Sequence, residues 1–275
     1  MSKLFDASHF AMNRRALLRS ALLTGVVATL PRQLFANSSS ALVETASGKL
    51  QGAENNGIKI FKGVQYGAPP EGRARFKAPQ PVAKWAGVKD ALEYGHSAPQ
   101  GASLIRTAPA RGTGLSLEGE NPTFSEDCLY LNVWTPGLDN SKRPVLVWLH
   151  GGGWSTGSGA SILYDGTNMA RTQDVVVLTI NHRLNVFGYL DLSEIAGKEY
   201  ADSSCAGLHD VVLALKWVKE NISRFGGDPG NVTIFGESGG GRKVSAMMAF
   251  PPAQGLFHRA VVESGSALRM DSKEV

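Results

Sequence analysis

Residues 231–250 read NVTIFGESGGGRKVSAMMAF, and this stretch decides the fold. Asn231–Phe235 is a short β-prone run fit for a buried strand. Arg242–Phe250 is compatible with a helix. Between them, Gly236-Glu237-Ser238-Gly239-Gly240 follows G-x-S-x-G, the pattern of a tight strand-to-helix turn that lifts a serine clear of a sheet. The flanking positions must be glycine, because a Cβ there collides with the neighbouring strand or helix. The turn also sets the N–H of Gly239 at a helix N-terminus, where partial positive charge favours an oxyanion. Alone, the pentapeptide is a weak signal, since glycine-rich turns with a serine are common. The strand before it and the helix after it give it weight.

Working outward, RPVLVWL (Arg143–Leu149), DVVVLTI (Asp174–Ile180) and RAVVES (Arg259–Ser264) are further continuous apolar runs. Such runs suit strands of a sheet covered on both faces. Between the second run and Asn231 lies LHDVVLALKWVKENI, in which Leu208, Val212, Leu215, Val218 and Ile222 recur at helical spacing. Strand, helix and strand at crossover lengths predict a parallel, doubly wound α/β sheet. Upstream, from Leu42, Asn56-Gly57 sits between β-prone segments, which predicts a meander of short antiparallel strands. Pro69 to Gly119 is rich in proline and glycine and reads as irregular. No internal repeat is present.

A chain of 275 residues, 43% hydrophobic and 19% charged, suits a soluble globular protein with a sizeable core. No apolar run is long enough to span a bilayer as a helix. The net charge of +4 resides in residues 1–36, where Lys3, Arg14, Arg15, Arg19 and Arg32 face one acid, Asp6. The remainder balances 23 basic against 23 acidic side chains, so it has no electrostatic footprint for nucleic acid. In residues 1–36, paired arginines precede a modest apolar stretch (Ser20–Leu30), then Pro31 and the small residue Ala36. That order is the pattern of an export signal. Arg14-Arg15 followed by Ala16-Leu17-Leu18 resembles the twin-arginine type and predicts engagement of export machinery and a periplasmic or secreted location. The alternative is an amphipathic N-terminal helix. Cys128 and Cys205 either pair or remain free thiols. No Cys/His spacing resembles a metal site, and no cofactor motif is present.

A second motif sets the chemistry. WLHGGGWSTG (Trp148–Gly157) follows an apolar strand. Three consecutive glycines at a strand's carboxyl end let backbone N–H groups converge on one oxygen. A phosphate-binding reading is weaker, because the Lys-Ser/Thr ending of a phosphate loop is missing. Both motifs together point to acyl transfer through a serine nucleophile.

FKGVQYGAPPEGRARFKAPQP, SEDCLYLNVWTP, HGGGW, NHRLNVFGYL and FGGDPGNVTIFGESGGG stand in this order between Phe61 and Gly241. Together they resemble the type-B carboxylesterases, the family that includes para-nitrobenzyl esterases and cholinesterases. The resemblance runs from about Leu42 to the C-terminus. It implies an α/β-hydrolase fold, with residues 37–275 supplying the N-terminal portion of a mixed, mostly parallel sheet. It further implies hydrolysis of small carboxylic esters. Ser238 matches the family nucleophile; Gly152, Gly153 and Gly239 match the oxyanion donors, the last replacing a usual alanine. Arg75–Glu126 and Arg183–Asp210 match two structural ion pairs. Glu237 matches a site carboxylate, read either as tuning the site or as a buried, hydrogen-bonded acid.

Two departures stand out. The family cysteine at Cys128 commonly pairs with one upstream, where this chain has Ala98. The family's triad acid and histidine lie far downstream of the nucleophile, in chains about twice this length. This predicts a fragment or a truncated product, inactive or crippled in activity. The local histidines are poor substitutes: His258 precedes the last strand and so lies at the wrong end of the sheet, His150 belongs to the glycine loop, and His182 and His209 flank an ion pair. A non-catalytic binding or adhesion module is the alternative reading; the intact Ser238 and glycine loop count against it.

Overall fold

The computed structural model describes residues 40–101 and 123–266. The export-signal reading of residues 1–36 lies outside them. Three strands open the described chain: β1 (Ser40–Glu44), β2 (Lys49–Asn55) and β3 (Ile58–Gln65). They form the expected antiparallel meander. Asn56 and Gly57 take φ of 50° and 80°, the left-handed dihedrals of a two-residue hairpin turn. β4 (Val88–Asp90) pairs with β2 in parallel, inside the segment read as irregular. Its three residues are all exposed, so no apolar pattern marks it.

The remaining strands are β5 (Tyr130–Thr135), β6 (Arg143–Leu149), β7 (Val176–Ile180), β8 (Gly227–Glu237) and β9 (Arg259–Glu263). Among the described residues the sheet runs β1-β2-β3-β5-β7-β6-β8-β9, with β4 beside β2. β5 is antiparallel to both neighbours; β7, β6, β8 and β9 are mutually parallel. Four helices are described: α1 (Thr167–Gln173), α2 (Asn185–Tyr189), α3 (Ala206–Asn221) and α4 (Gly239–Ala249).

The chain leaves β6 for β7 on one side, then returns past β6 to β8 on the other. Crossovers in opposite directions belong on opposite faces of a twisted sheet. Accordingly, Ala170 of α1 packs with Ile58, Ile60, Trp134, Val175 and Val177. Val212, Leu215 and Val218 of α3, with Val244 and Met247 of α4, pack instead on Val145, Val147, Val232 and Ile234. The reversal at β6 creates a crevice at the carboxyl ends of β6 and β8, where open α/β sheets bind ligands.

β7 is buried at all five positions, as a strand covered on both faces should be. β9 is not: its residues alternate exposed and half-buried. α4 covers one of its faces, and Val261 on the other remains 45% exposed. Cys128 is buried, Cys205 is half-buried, and both are free thiols. No described helix is long and apolar enough to cross a membrane.

Candidate active site

Ser238 caps α4 with φ of 56° and ψ of −118°, a conformation that costs a non-glycine residue about 1–3 kcal/mol. The surroundings enforce it. Its N–H donates to the Glu263 carbonyl of β9 at 2.9 Å, and its carbonyl accepts from Arg242 N–H at 3.0 Å. The side chain is exposed. A Cβ at Gly236 would meet the Leu149 carbonyl at 2.5 Å, and one at Gly240 would be driven into the same oxygen. The glycines flanking Ser238 therefore let α4 start hard against the end of β6.

Leu149 and Gly236 are register partners, so the glycine loop and the serine turn emerge side by side. Gly152 and Gly153 take φ of 86° and 65°, accessible without strain to glycine. The Gly152 carbonyl accepts from Thr156 N–H at 3.1 Å, which turns the loop back on itself. A Cβ at Gly151 would lie 3.7 Å from that of Ser238, and one at Gly239 would strike the Gly153 backbone. Glycine at 239, where the family pattern has alanine, thus suits a loop that lies directly on the start of α4. Among the described residues, no hydrogen bond occupies the N–H groups of Gly152, Gly153 or Gly239. Three free donors beside an exposed serine are what an oxyanion hole requires.

Behind the loop stands a residue the sequence reading passed over. Lys243 is fully buried, and its Nζ donates to the carbonyls of His150 and Gly153, both at 3.0 Å. Burial pushes this amine down to about 7. A neutral amine has two N–H groups, which match these two carbonyls at the two ends of the glycine triplet. The signal was available: Lys243 falls on the same buried stripe of α4 as Val244 and Met247.

The histidines lie elsewhere. His150 and His182 stack with centroids 4.7 Å apart. His150 Nδ1 donates to Gly151 O at 2.9 Å and His182 Nδ1 to Arg183 O at 3.0 Å. Burial, reinforced by Lys243, holds His150 down to about 3 and His182 well below the ordinary range. His258 sits at the amino end of β9, where its Nδ1 accepts from Val232 N–H at 3.1 Å. His209 packs edge-on to Phe250 at 5.0 Å. None of them is hydrogen-bonded to Ser238.

Glu237 is exposed rather than a buried acid, and its carboxylate lies beside Gly151. Arg75 holds Glu126 in a two-pronged contact, Nε to Oε2 at 2.6 Å and Nη2 to Oε1 at 2.5 Å. Arg183 and Asp210 do the same in the interior, Nε to Oδ2 at 2.9 Å and Nη2 to Oδ1 at 2.7 Å. Arg183 also donates its Nη1–H to the Lys77 carbonyl at 2.8 Å. The first pair ties two loops together, the second ties a loop to α3, and neither is hydrogen-bonded to Ser238.

Residues 39–272 match the model of the carboxylesterase family. The chain belongs to that family. It is 45% identical over 233 residues to the para-nitrobenzyl esterase of Bacillus subtilis, a match covering 85% of this chain and 45% of that protein. It is 44% identical to the phenmedipham hydrolase of Pseudarthrobacter oxydans, covering 81% of this chain and 42% of the relative. Among solved structures, the carboxylesterase EST55 of Geobacillus stearothermophilus superimposes with a TM-score of 0.71 at 46% identity, over 80% of this chain and 42% of that one. The chain thus spans less than half the length of these carboxylesterases. The architecture is that of the α/β-hydrolase carboxylesterases, with a mixed, mostly parallel sheet flanked by helices.

Proposed function

We propose that this protein hydrolyses small carboxylic esters through an acyl-enzyme on Ser238. The observation that carries the reading is the pairing of an exposed, conformationally forced Ser238 with the free N–H groups of Gly152, Gly153 and Gly239. Ser238 Oγ attacks the ester carbonyl carbon, and the carbonyl oxygen becomes an oxyanion facing those three donors. The intermediate collapses, the C–O bond to the alcohol breaks, and the serine proton leaves with the alcohol. Water then attacks the acyl-enzyme, releasing the acid and restoring Ser238. Donors fixed by backbone need no reorganisation as charge develops, and each is worth about 2.7–4 kcal/mol in comparable sites. Membership of the carboxylesterase family supports the reaction class.

Proton removal from Ser238 sets the rate. Among the described histidines, His150 and His182 are buried neutral, His258 lies at the amino end of β9, His209 stands on α3 against Phe250 and His96 is exposed beside Thr123, and none is hydrogen-bonded to Ser238, so we propose that these 275 residues acylate slowly. Oxyanion donors without a complete triad leave roughly 10³–10⁴-fold catalysis over water. Hydrolysis of para-nitrophenyl butyrate by the chain and by Ser238→Ala tests both parts. Slow turnover is expected, with a butyryl adduct on Ser238 that is absent from Ser238→Ala. An adduct of equal yield in Ser238→Ala, or none in the folded parent, would dismiss Ser238 as nucleophile. Rates above about 10⁶-fold over water would dismiss the slow-acylation reading.

We also propose that residues 1–36 direct export to the periplasm or beyond, on the strength of the Arg14-Arg15 pair and the apolar run behind it.

A further inference from the structure

Away from the serine, the junction between a short turn and α3 gathers three ligand-type side chains. Asp202 precedes a 3-10 turn, Ser203–Cys205, that runs into α3, and His209 lies in the first turn of that helix. Spacings of three and four residues put all three on one side of a helical path. One Asp202 carboxylate oxygen, Cys205 Sγ and one His209 ring nitrogen all lie within 4.8 Å of one another. His209 Nε2 is 3.7 Å from Asp202 Oδ1. Tetrahedral zinc binds nitrogen and oxygen at about 2.0–2.1 Å and thiolate sulfur at about 2.3 Å, which sets its ligand atoms roughly 3.3–3.6 Å apart. The cluster needs only a small closure of side chains to reach that spacing.

We propose that Asp202, Cys205 and His209 bind Zn²⁺ through three protein ligands, with a fourth position open to water. One thiolate, one imidazole and one carboxylate form a donor set suited to zinc rather than to calcium or magnesium, which prefer oxygen alone. The frame is already fixed. The Ser203 hydroxyl accepts from Leu192 N–H at 2.8 Å, which pins the turn. The His209 ring is held edge-on to Phe250 at 5.0 Å, with an interplanar angle of 70°. Side chains on a rigid turn–helix junction lose little freedom on binding. The Asp202 side chain is 54% exposed and that of His209 18%, so an ion reaches the cluster from solvent. On binding, Cys205 loses its thiol proton to water, an S–Zn bond forms, and the carboxylate and thiolate charges balance the ion. The site is separate from Ser238 and its donors. It fastens the Ser203–Cys205 turn to the first turn of α3, next to the buried Arg183–Asp210 pair.

The test is a Co²⁺ titration of the reduced protein, followed by Zn²⁺. The expected result is one Co²⁺ per chain with a thiolate-to-cobalt charge-transfer band, displaced by a stoichiometric addition of Zn²⁺. The band should vanish in Cys205→Ser and persist in Cys128→Ser. His209→Ala and Asp202→Ala should each weaken binding at least about 10-fold. Circular dichroism establishes that each variant is folded. A band of equal strength in Cys205→Ser, or no band in the folded parent, would overturn the proposal.

Discussion

Lys243 holds an amine where a charge is hardest to keep. Its folded value is about 7 against an ordinary 10.5, so between these limits the unfolded chain binds the proton and the folded chain does not. Stability rises with pH wherever the unfolded state holds more protons. The contribution of Lys243 is therefore complete above about pH 10.5, declines as pH falls, and is smallest below about pH 7, where both states carry the charge. Replacing Lys243 with Met removes this dependence. It also leaves the His150 and Gly153 carbonyls without their donor, at about 1–3 kcal/mol for each that stays dry. Urea unfolding of the parent at pH 7 and pH 10 should show the higher stability at pH 10, and Lys243→Met should flatten the difference. An unchanged difference in the variant would exclude Lys243 as its source. The same residue explains why the glycine loop keeps one shape: each end of the triplet is tied from inside the protein, not from the solvent side.

At the scale of elements, β9 is a weakly protected strand of the parallel half of the sheet. Among the described residues it pairs only with β8, and Val261 projects from the face that α4 does not cover. An edge strand with exposed apolar residues is a template for association, and a lysine on such a strand opposes it. Val261→Lys should lower light scattering of the concentrated chain while leaving its far-ultraviolet dichroism unchanged. Scattering that stays the same would place the adhesive surface elsewhere. The contrast between strands also shows what the sequence made legible. β6, β7 and α3 carry unbroken runs or stripes, and their positions were readable. β8 extends beyond its apolar run because Gly227 pairs with Arg143 across a register shift. β5 escaped because its pattern is interrupted by Asn132 and Thr135. Both are buried and satisfied by distant partners: Asn132 Nδ2 donates to Thr179 Oγ1 at 2.9 Å, and Thr135 Oγ1 to Phe225 O at 2.7 Å. The candidate site divides the same way. Ser238 and the glycines were legible because local backbone geometry dictates them. Lys243 depends on a loop some 90 residues away, and the Asp202–Cys205–His209 cluster depends on how a turn meets a helix.

For the whole molecule, charge and redox state bear on the same question. The excess positive charge lies in residues 1–36, and the rest of the chain is balanced. The described fold contains no disulfide; Cys128 is sealed in the core and Cys205 stands free. Free thiols place no oxidative requirement on folding, and the twin-arginine route carries proteins that are already folded. Under the export proposal, a core closed around a free thiol is compatible with an address that selects the route for folded cargo. Fusing residues 1–36 to a reporter that folds in the cytoplasm separates this route from others. The reporter should appear in the periplasm of a bacterium with the twin-arginine machinery, and Arg14→Lys with Arg15→Lys should leave it inside the cell. Equal periplasmic fractions for the two fusions would show that the arginine pair is not read as an address, and the export proposal would then lose its main support.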